Sequence, residues 1–319
     1  MSPIIETQQL TRHFGHDIIA VSELTLAIHS GEVFGFLGHN GAGKTTTVRL
    51  LNGILAPTCG SVRVLGLDPV DEGPKVRRHT GVLTETPSLE ERLTARETLH
   101  VYGKLYGVAD TERGRRVDAL LDEFGLSERA DEYVGGFSKG MRQRLALART
   151  LIHQPRILFL DEPTTGLDPV GRRSVHELIT QLSSTDGRTV FLCTHDLMEA
   201  QRLCSRVGVM EQGRLVALGT PVELARDLRH GIQLKIRMSA PPPKTFDGRG
   251  VAREVTTGTW DADTRTVTFA LRSEDAIPDL IEALVHAGAR IYQVTPQEPT
   301  LEDVYFAIHD QDTSQERRP

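Results

Sequence analysis

The sequence predicts an α/β protein: a doubly wound, mostly parallel sheet with antiparallel N-terminal strands, an inserted helical block, and a small α+β domain after it. Three observations carry this. Short apolar runs (Val33–Leu37, Thr80–Thr84, Ile157–Leu160, Thr189–Cys193) alternate with helical periodicities. A glycine-rich loop, Gly38–Thr46, separates the first of these runs from a helix. Between about Ala95 and His153 the texture turns wholly helical, and past Arg229 a separate set of alternating strands begins.

In chain order, Ile4 to Ile28 alternates enough for two or three strands. Phe14 falls among them, where its ring could stack on a purine or simply fill a core or edge position. The loop itself reads Gly38, His39, Asn40, Gly41, Ala42, Gly43, Lys44, Thr45, Thr46. Strand, glycine loop and helix start together make a phosphate cradle. The glycines let backbone N–H groups turn inward, and the helix N-terminus adds partial positive charge. Lys44 is suited to the outer phosphates and the Thr45 hydroxyl to Mg²⁺. The helix that follows is expected to run from Thr45 to Leu55 and stop at Ala56-Pro57. Ser61 to Leu67 and Thr80 to Thr84 read as strands, with Cys59 in a turn.

The helical subdomain spans about residues 86–153. Leu99, Tyr102, Leu105 and Tyr106 share one face; Val117, Leu120, Leu121 and Phe124 share another. It ends in Gly135-Gly136-Phe137-Ser138-Lys139-Gly140-Met141, where Ser138 can cap a helix and the helix start is a second potential phosphate site. Ile157–Leu160 then reads as a fully buried strand that delivers Asp161 and Glu162 to its C-terminal end, where open parallel sheets hold ligands. There Asp161 would act on Mg²⁺ through its water shell, and Glu162 would polarise an attacking water. Gly166-Leu167-Asp168-Pro169 opens the next helix, and the strand Thr189–Cys193 brings Thr194-His195-Asp196 to the same edge. A strand pair from Arg206 to Leu218 and a helix, Pro221 to Leu228, close a domain of residues 1–228.

Composition narrows the function. A formal charge of −6 without a basic stripe leaves no electrostatic footprint for nucleic acid. No apolar run reaches the ~20 residues a bilayer span needs, and no signal peptide opens the sequence. The three cysteines, Cys59, Cys193 and Cys204, have spacings of neither a disulfide framework nor a zinc site. These features lead to the expectation of a cytoplasmic protein.

Phosphate loop, Ser-Lys-Gly-Met helix start, Leu-Asp-Glu-Pro, Gly-Leu-Asp-Pro and Thr-His-Asp stand in one order. In that order the sequence resembles the nucleotide-binding subunit of an ABC transporter over about residues 3–228, with a P-loop NTPase core. By resemblance, Gly38–Thr46 matches the Walker A loop and Ile157–Glu162 the Walker B strand. Ser138, Lys139, Gly140 and Met141 fall on the signature, which faces the ATP of a partner subunit. Asp168 falls on the D-loop, His195 on the switch histidine and Phe14 on the adenine-stacking aromatic. Two departures from the family pattern stand out. The signature reads Ser-Lys-Gly-Met where Ser-Gly-Gly-Gln is commonest, and Glu85 replaces the Q-loop glutamine, with no glutamine between Thr45 and Met141 to stand in. Glu85 is therefore expected to join Thr45 and Asp161 as a Mg²⁺ ligand.

The text around Leu93-Thr94-Ala95-Arg96-Glu97 is similar to exporter-type ATPases of the antibiotic and multidrug branch. The resemblance implies ATP and Mg²⁺ as cofactors, a homodimer or heterodimer of nucleotide-binding subunits, and a separate membrane permease that holds the protein at the inner face of the membrane. The alternative is a non-transport ATPase of the same superfamily, ribosome-associated or DNA-maintenance. A DNA-maintenance ATPase would place a long coiled coil between loop and signature, and a ribosome-associated one usually carries tandem nucleotide domains with a basic linker; neither feature is present.

Residues 229–309 read as an accessory α+β domain. Its strands are marked by Ile232, Leu234, Ile236 and Met238, by Val267, Phe269 and Leu271, and by Ile291 and Val294. Ile277–Val285 is a helix, and Leu301, Val304, Tyr305 and Ile308 a last short one. Loops fall at Pro241-Pro242-Pro243 and Gly248-Arg249-Gly250, and residues 310–319 read as a disordered tail.

Overall fold

The computed structural model describes residues 2–15, 18–86, 88–228, 232–242, 259–271, 274–297, 300–302 and 304–305. The tail 310–319, Ile308, Pro243 and the Gly248–Gly250 loop lie outside the described residues. The chain divides into two compact units, Met1–Thr220 and Pro221–Pro319. The helix Pro221–Leu228, expected to close the first domain, therefore belongs with the second.

The first unit opens with an antiparallel sheet. β1 (Ile5–Phe14) lies between β2 (Ile18–Ile28) and β4 (Cys59–Val64). Cys59, expected in a turn, begins β4 and is exposed. The central sheet has the order β5-β6-β7-β3-β8-β9, formed by β3 (Val33–Leu37), β5 (Thr80–Leu83), β6 (Ile157–Asp161), β7 (Thr189–Thr194), β8 (Arg206–Glu211) and β9 (Arg214–Gly219). All neighbours are parallel except β8 and β9. β3, β6 and β7 are buried along their whole length, which is why their sequences are continuously apolar instead of alternating. Phe34, Phe36, Phe159 and Phe191 interlock beneath them, the Phe191 ring lying 5.1–5.7 Å from the other three. Each such buried ring contributes roughly 1.5–3 kcal/mol. Gly35 keeps β3 open to its neighbours, since a Cβ there would come within 2.8 Å of Cys204 Sγ and 2.9 Å of Val207 Cγ1.

The helices follow from their caps. α1 (Lys44–Leu51) is shorter than expected: the Asn52 amide folds back on Val48 O and Gly53 turns out at φ +64°. α2 (Pro69–Arg77) was not legible in the sequence. Asp68 caps it by accepting from Val70 N, and Pro69 sits in the first turn where no N–H is needed. The helical block consists of α3 (Ala95–Leu105), started by a Thr94/Glu97 capping box, α4 (Asp110–Glu123), and α5 (Lys139–Leu151), capped by Ser138. α6 (Pro169–Ser184) and α7 (Leu197–Leu203) are capped by Asp168 and Asp196.

The second unit contains α8 (Pro221–Leu228), β10 (Ile232–Met238), β11 (Thr259–Asp261), β12 (Thr266–Leu271), α9 (Ala276–His286) and β13 (Ile291–Gln297). Its antiparallel sheet has the order β11-β12-β10-β13. Leu234, Ile236, Val267, Phe269, Leu280 and Leu284 form a core of its own.

Candidate functional site

Strand register brings the site together. Leu37 at the end of β3 lies beside Thr194 of β7, Cys193 beside Asp161 of β6, and Leu160 beside Leu83 of β5. Four chain segments therefore leave the sheet at one edge: the Gly38–Thr46 loop, the turn that begins with Glu162, His195, and the segment carrying Glu85.

The loop closes around its own lysine. Gly41 and Gly43 sit at φ +90° and +107°, and a Cβ on Gly43 would lie 2.3 Å from Ala20 O, so no other residue fits there. Lys44 is buried, and its Nζ donates to Gly38 O and, at 3.1 Å, to His39 O. The ammonium is thus held in the ring of backbone that a phosphate would enter. Thr45 Oγ1 donates to Asp161 Oδ2 at 2.9 Å, joining the start of α1 to the end of β6. Burial pushes the Asp161 carboxyl above the ordinary range; Thr45 opposes this, the neighbouring Glu162 adds to it, Lys44 opposes, and Glu85 adds further.

Glu162 takes a left-handed backbone at φ +52°, its N–H donating to Cys193 O. Its carboxylate is engaged on both oxygens: Oε1 lies 2.8 Å from His195 Nδ1, and Oε2 accepts from Thr165 Oγ1 at 3.3 Å. A cavity of about 360 Å³ opens above, lined by His39, Asn40, Gly41 and Gly43–Thr46 from the loop, with Ala20, Glu85, Asp161 and Glu162. Among the described residues no three His, Cys, Asp or Glu side chains converge tightly enough to hold a metal unaided.

Other residues singled out in the sequence stand outside this lining. Phe14, at the end of β1, is 36 % exposed, and the Arg12 guanidinium lies 4.8 Å over its ring. Ser138 accepts from Met141 N at the start of α5, with Lys139 reaching toward Gly166 and Gly140 next to Leu167. Asp168 accepts from Gly171 N.

Sequence reading missed several residues that shape the site. Ala20 lines the cavity from β2. Gln143, buried on α5, donates to Pro163 O at 2.6 Å, directly after Glu162. Arg142 ties the α5 start to Phe137 O, Gly135 O and Glu91, and Arg149 donates to Ser88 O, close to Glu85. Nothing in the sequence marked Gln143, which lies on the side of α5 opposite Met141, Leu145, Ala148 and Ile152.

Residues 21–165 match the family model described as ABC transporter. The chain is 38 % identical over 292 residues to the daunorubicin resistance ATP-binding protein DrrA3 of Streptomyces coeruleorubidus, covering 91 % of this chain and 90 % of that one. It is 39 % identical over 216 residues to the bacitracin transport ATP-binding protein BcrA of Bacillus licheniformis, covering 68 % and 69 %. Among solved structures, the ATP binding subunit of an ABC transporter superposes with a TM-score of 0.65 at 31 % identity, over 70 % of this chain and 92 % of that one.

Proposed function

This chain belongs to the ABC transporter ATP-binding family, and we propose that it binds MgATP between its phosphate loop and the signature helix of a second subunit, with Glu162 orienting the attacking water. It is an exporter-type subunit that binds and hydrolyses ATP, and the family couples that cycle to a membrane permease. No helix among the described residues is long and apolar enough to cross a membrane. A separate permease, as the family uses, would hold the protein at the cytoplasmic face of the membrane. The relatives are named for daunorubicin resistance and bacitracin transport, which supports a drug or antibiotic cargo.

The supporting observation is the site's division of labour. Lys44 and the loop amides would take the outer phosphates. Thr45 and Asp161, already 2.9 Å apart, offer hard oxygen donors suited to Mg²⁺, with Glu85 on the same wall. Bound there, Mg²⁺ would supply neutralisation of the phosphate oxygens. Glu162, held by His195 and Thr165, would polarise water. Phe14 is assigned to the adenine, Ser138 to Met141 to the nucleotide of the partner subunit, and Asp168 to the contact between subunits.

Because one chain has one loop and one signature, each complete site needs two copies or a related partner, and closure of that dimer is what the permease would feel. The test is nucleotide binding and phosphate release by purified protein. Wild type should bind and hydrolyse MgATP, and Lys44→Ala should lose binding. Equal binding by both would remove the loop from the reading.

A further inference from the structure

Behind the site lies a buried polar cluster to which the proposed mechanism gives no task. Thr164, His176 and Glu199 are 5 %, 7 % and 2 % exposed. Thr164 Oγ1 donates to Glu199 Oε1 at 2.8 Å, and His176 Nε2 lies 2.9 Å from that same oxygen. Glu199 Oε2 is buried with no hydrogen-bond partner among the described residues. A carboxylate that shares one oxygen between two partners and strands the other is a poor choice for stability alone, since apolar groups of the same shape are often no worse.

The cluster's position supplies a task. Thr164 lies in the turn that begins with Glu162; His176 is on α6, which Asp168 caps; Glu199 is on α7, whose cap Asp196 follows His195, and the Glu199 N–H donates to Asp196 Oδ1 at 3.0 Å. Glu162 and His195 touch at 2.8 Å, and the segments that carry them are joined again through Thr164 and Glu199. Two contacts close a ring, and a ring fixes both distance and orientation where one contact would allow rotation. Gln143 pins the intervening Pro163 carbonyl from α5.

We propose that Glu199, seated by His176, is a positioning residue for hydrolysis: it grips Thr164 and so sets the Glu162 carboxylate against His195. This rests on Glu162 being the residue that orients water. Loss of the grip should lower turnover without changing how nucleotide is held, since neither Thr164 nor Glu199 lines the cavity.

The test is steady-state MgATP hydrolysis by the full chain, with kcat and KM separated. Thr164→Val, which keeps the shape and removes the hydroxyl, should lower kcat on the order of tenfold to a hundredfold with KM within about twofold. Thr164→Ser should restore most of the loss. The apolar variant Thr164→Val/His176→Leu/Glu199→Leu should remain folded by thermal melting and be as slow as Thr164→Val. Wild-type kcat in Thr164→Val overturns the proposal, as does a fall in kcat that Ser does not rescue. Glu162→Gln, assayed alongside, separates the two readings. If Glu162→Gln stalls and Thr164→Val does not, only the positioning role fails; if Glu162→Gln turns over normally, the role given to Glu162 fails and this proposal with it.

Discussion

His195 Nδ1 lies 2.8 Å from Glu162 Oε1, one partner 60 % exposed and the other 8 %. With the carboxylate ionised, Nδ1 carries the proton and donates, leaving the Nε2 edge of the ring as the free one. A mostly exposed imidazole thus orients a buried acid. Glu162→Gln keeps the volume and removes the base, so nucleotide binding should persist while turnover falls 10²- to 10⁴-fold. The stalled, ATP-bound protein should elute as a dimer in sizing chromatography. His195→Ala leaves the base but frees its orientation, and a smaller loss, on the order of tenfold to a hundredfold, is expected. Phosphate release beside a nucleotide-binding assay decides both; near-normal hydrolysis in Glu162→Gln removes it from the chemistry.

Asp161 gives the free protein a pH signature. Its carboxyl is raised, first by burial and then by the neighbouring Glu162 and Glu85, against the pull of Thr45 and Lys44. A folded-state value above the unfolded one means stability that is fully present below the ordinary value of 3.8 and lost as pH rises through the raised one. At neutral pH, without nucleotide, Asp161 should therefore weaken the fold. Asp161→Asn retains an acceptor for Thr45 and should melt higher than wild type at pH 7, with the gap closing as pH falls toward 4. For a unit of this size about 2–4 °C corresponds to 1 kcal/mol. A melting difference independent of pH would show that ionisation of Asp161 is not its source.

How far the sequence reached depended on the range of the interaction. The phosphate loop and strands β3, β6 and β7 were legible because glycine spacing and buried apolar runs are local signals. Helix α2 was not, because Pro69, Gly73 and Pro74 read as breakers; only the Asp68 cap and a kink at Glu72 make them compatible with a helix. Cys59 followed the same error, a turn assigned from Pro57 and Gly60 where pairing with Thr11 of β1 extends the strand. In the site, Asp161, Glu162 and His195 could be assigned to one sheet edge from strand ends alone. Gln143 to Pro163 and Thr164 to Glu199 could not, since partners 20 and 35 residues apart meet only once helices α5 and α7 are placed.

The two units have separate cores, so a chain ending at Thr220 should fold and bind ATP with affinity within a few-fold of the full chain. Weaker dimerisation or altered regulation is the expected cost, not lost chemistry. Circular dichroism, nucleotide binding and light scattering on the shortened protein test this. Insolubility, or loss of nucleotide binding, would mean that the first unit depends on the second.

By the sequence resemblance Glu85 falls where the family's commonest residue is glutamine, and it lines the cavity with Thr45, Asp161 and Glu162. Its charge is felt there, being one of the contributions that raise the Asp161 carboxyl. A glutamine would offer Mg²⁺ a neutral carbonyl oxygen; Glu85 offers a carboxylate, a harder ligand. Since no three acidic or imidazole side chains among the described residues converge to hold a metal alone, Glu85 should matter only when nucleotide phosphates complete the site. Without nucleotide, wild type, Glu85→Gln and Glu85→Ala should be alike in binding no Mg²⁺ by calorimetry. With ATP present, Glu85→Gln should need severalfold more Mg²⁺ for half-maximal hydrolysis, a shift of about 1 kcal/mol, while keeping appreciable turnover. Glu85→Ala, which has no oxygen to offer, should need more still. Repulsion between Glu85 and the γ-phosphate works the other way and predicts tighter ATP binding by Glu85→Gln when Mg²⁺ is chelated. If all three proteins titrate alike with Mg²⁺ in the presence of ATP, Glu85 faces water, Thr45 and Asp161 hold the ion without it, and its role as a metal ligand is refuted.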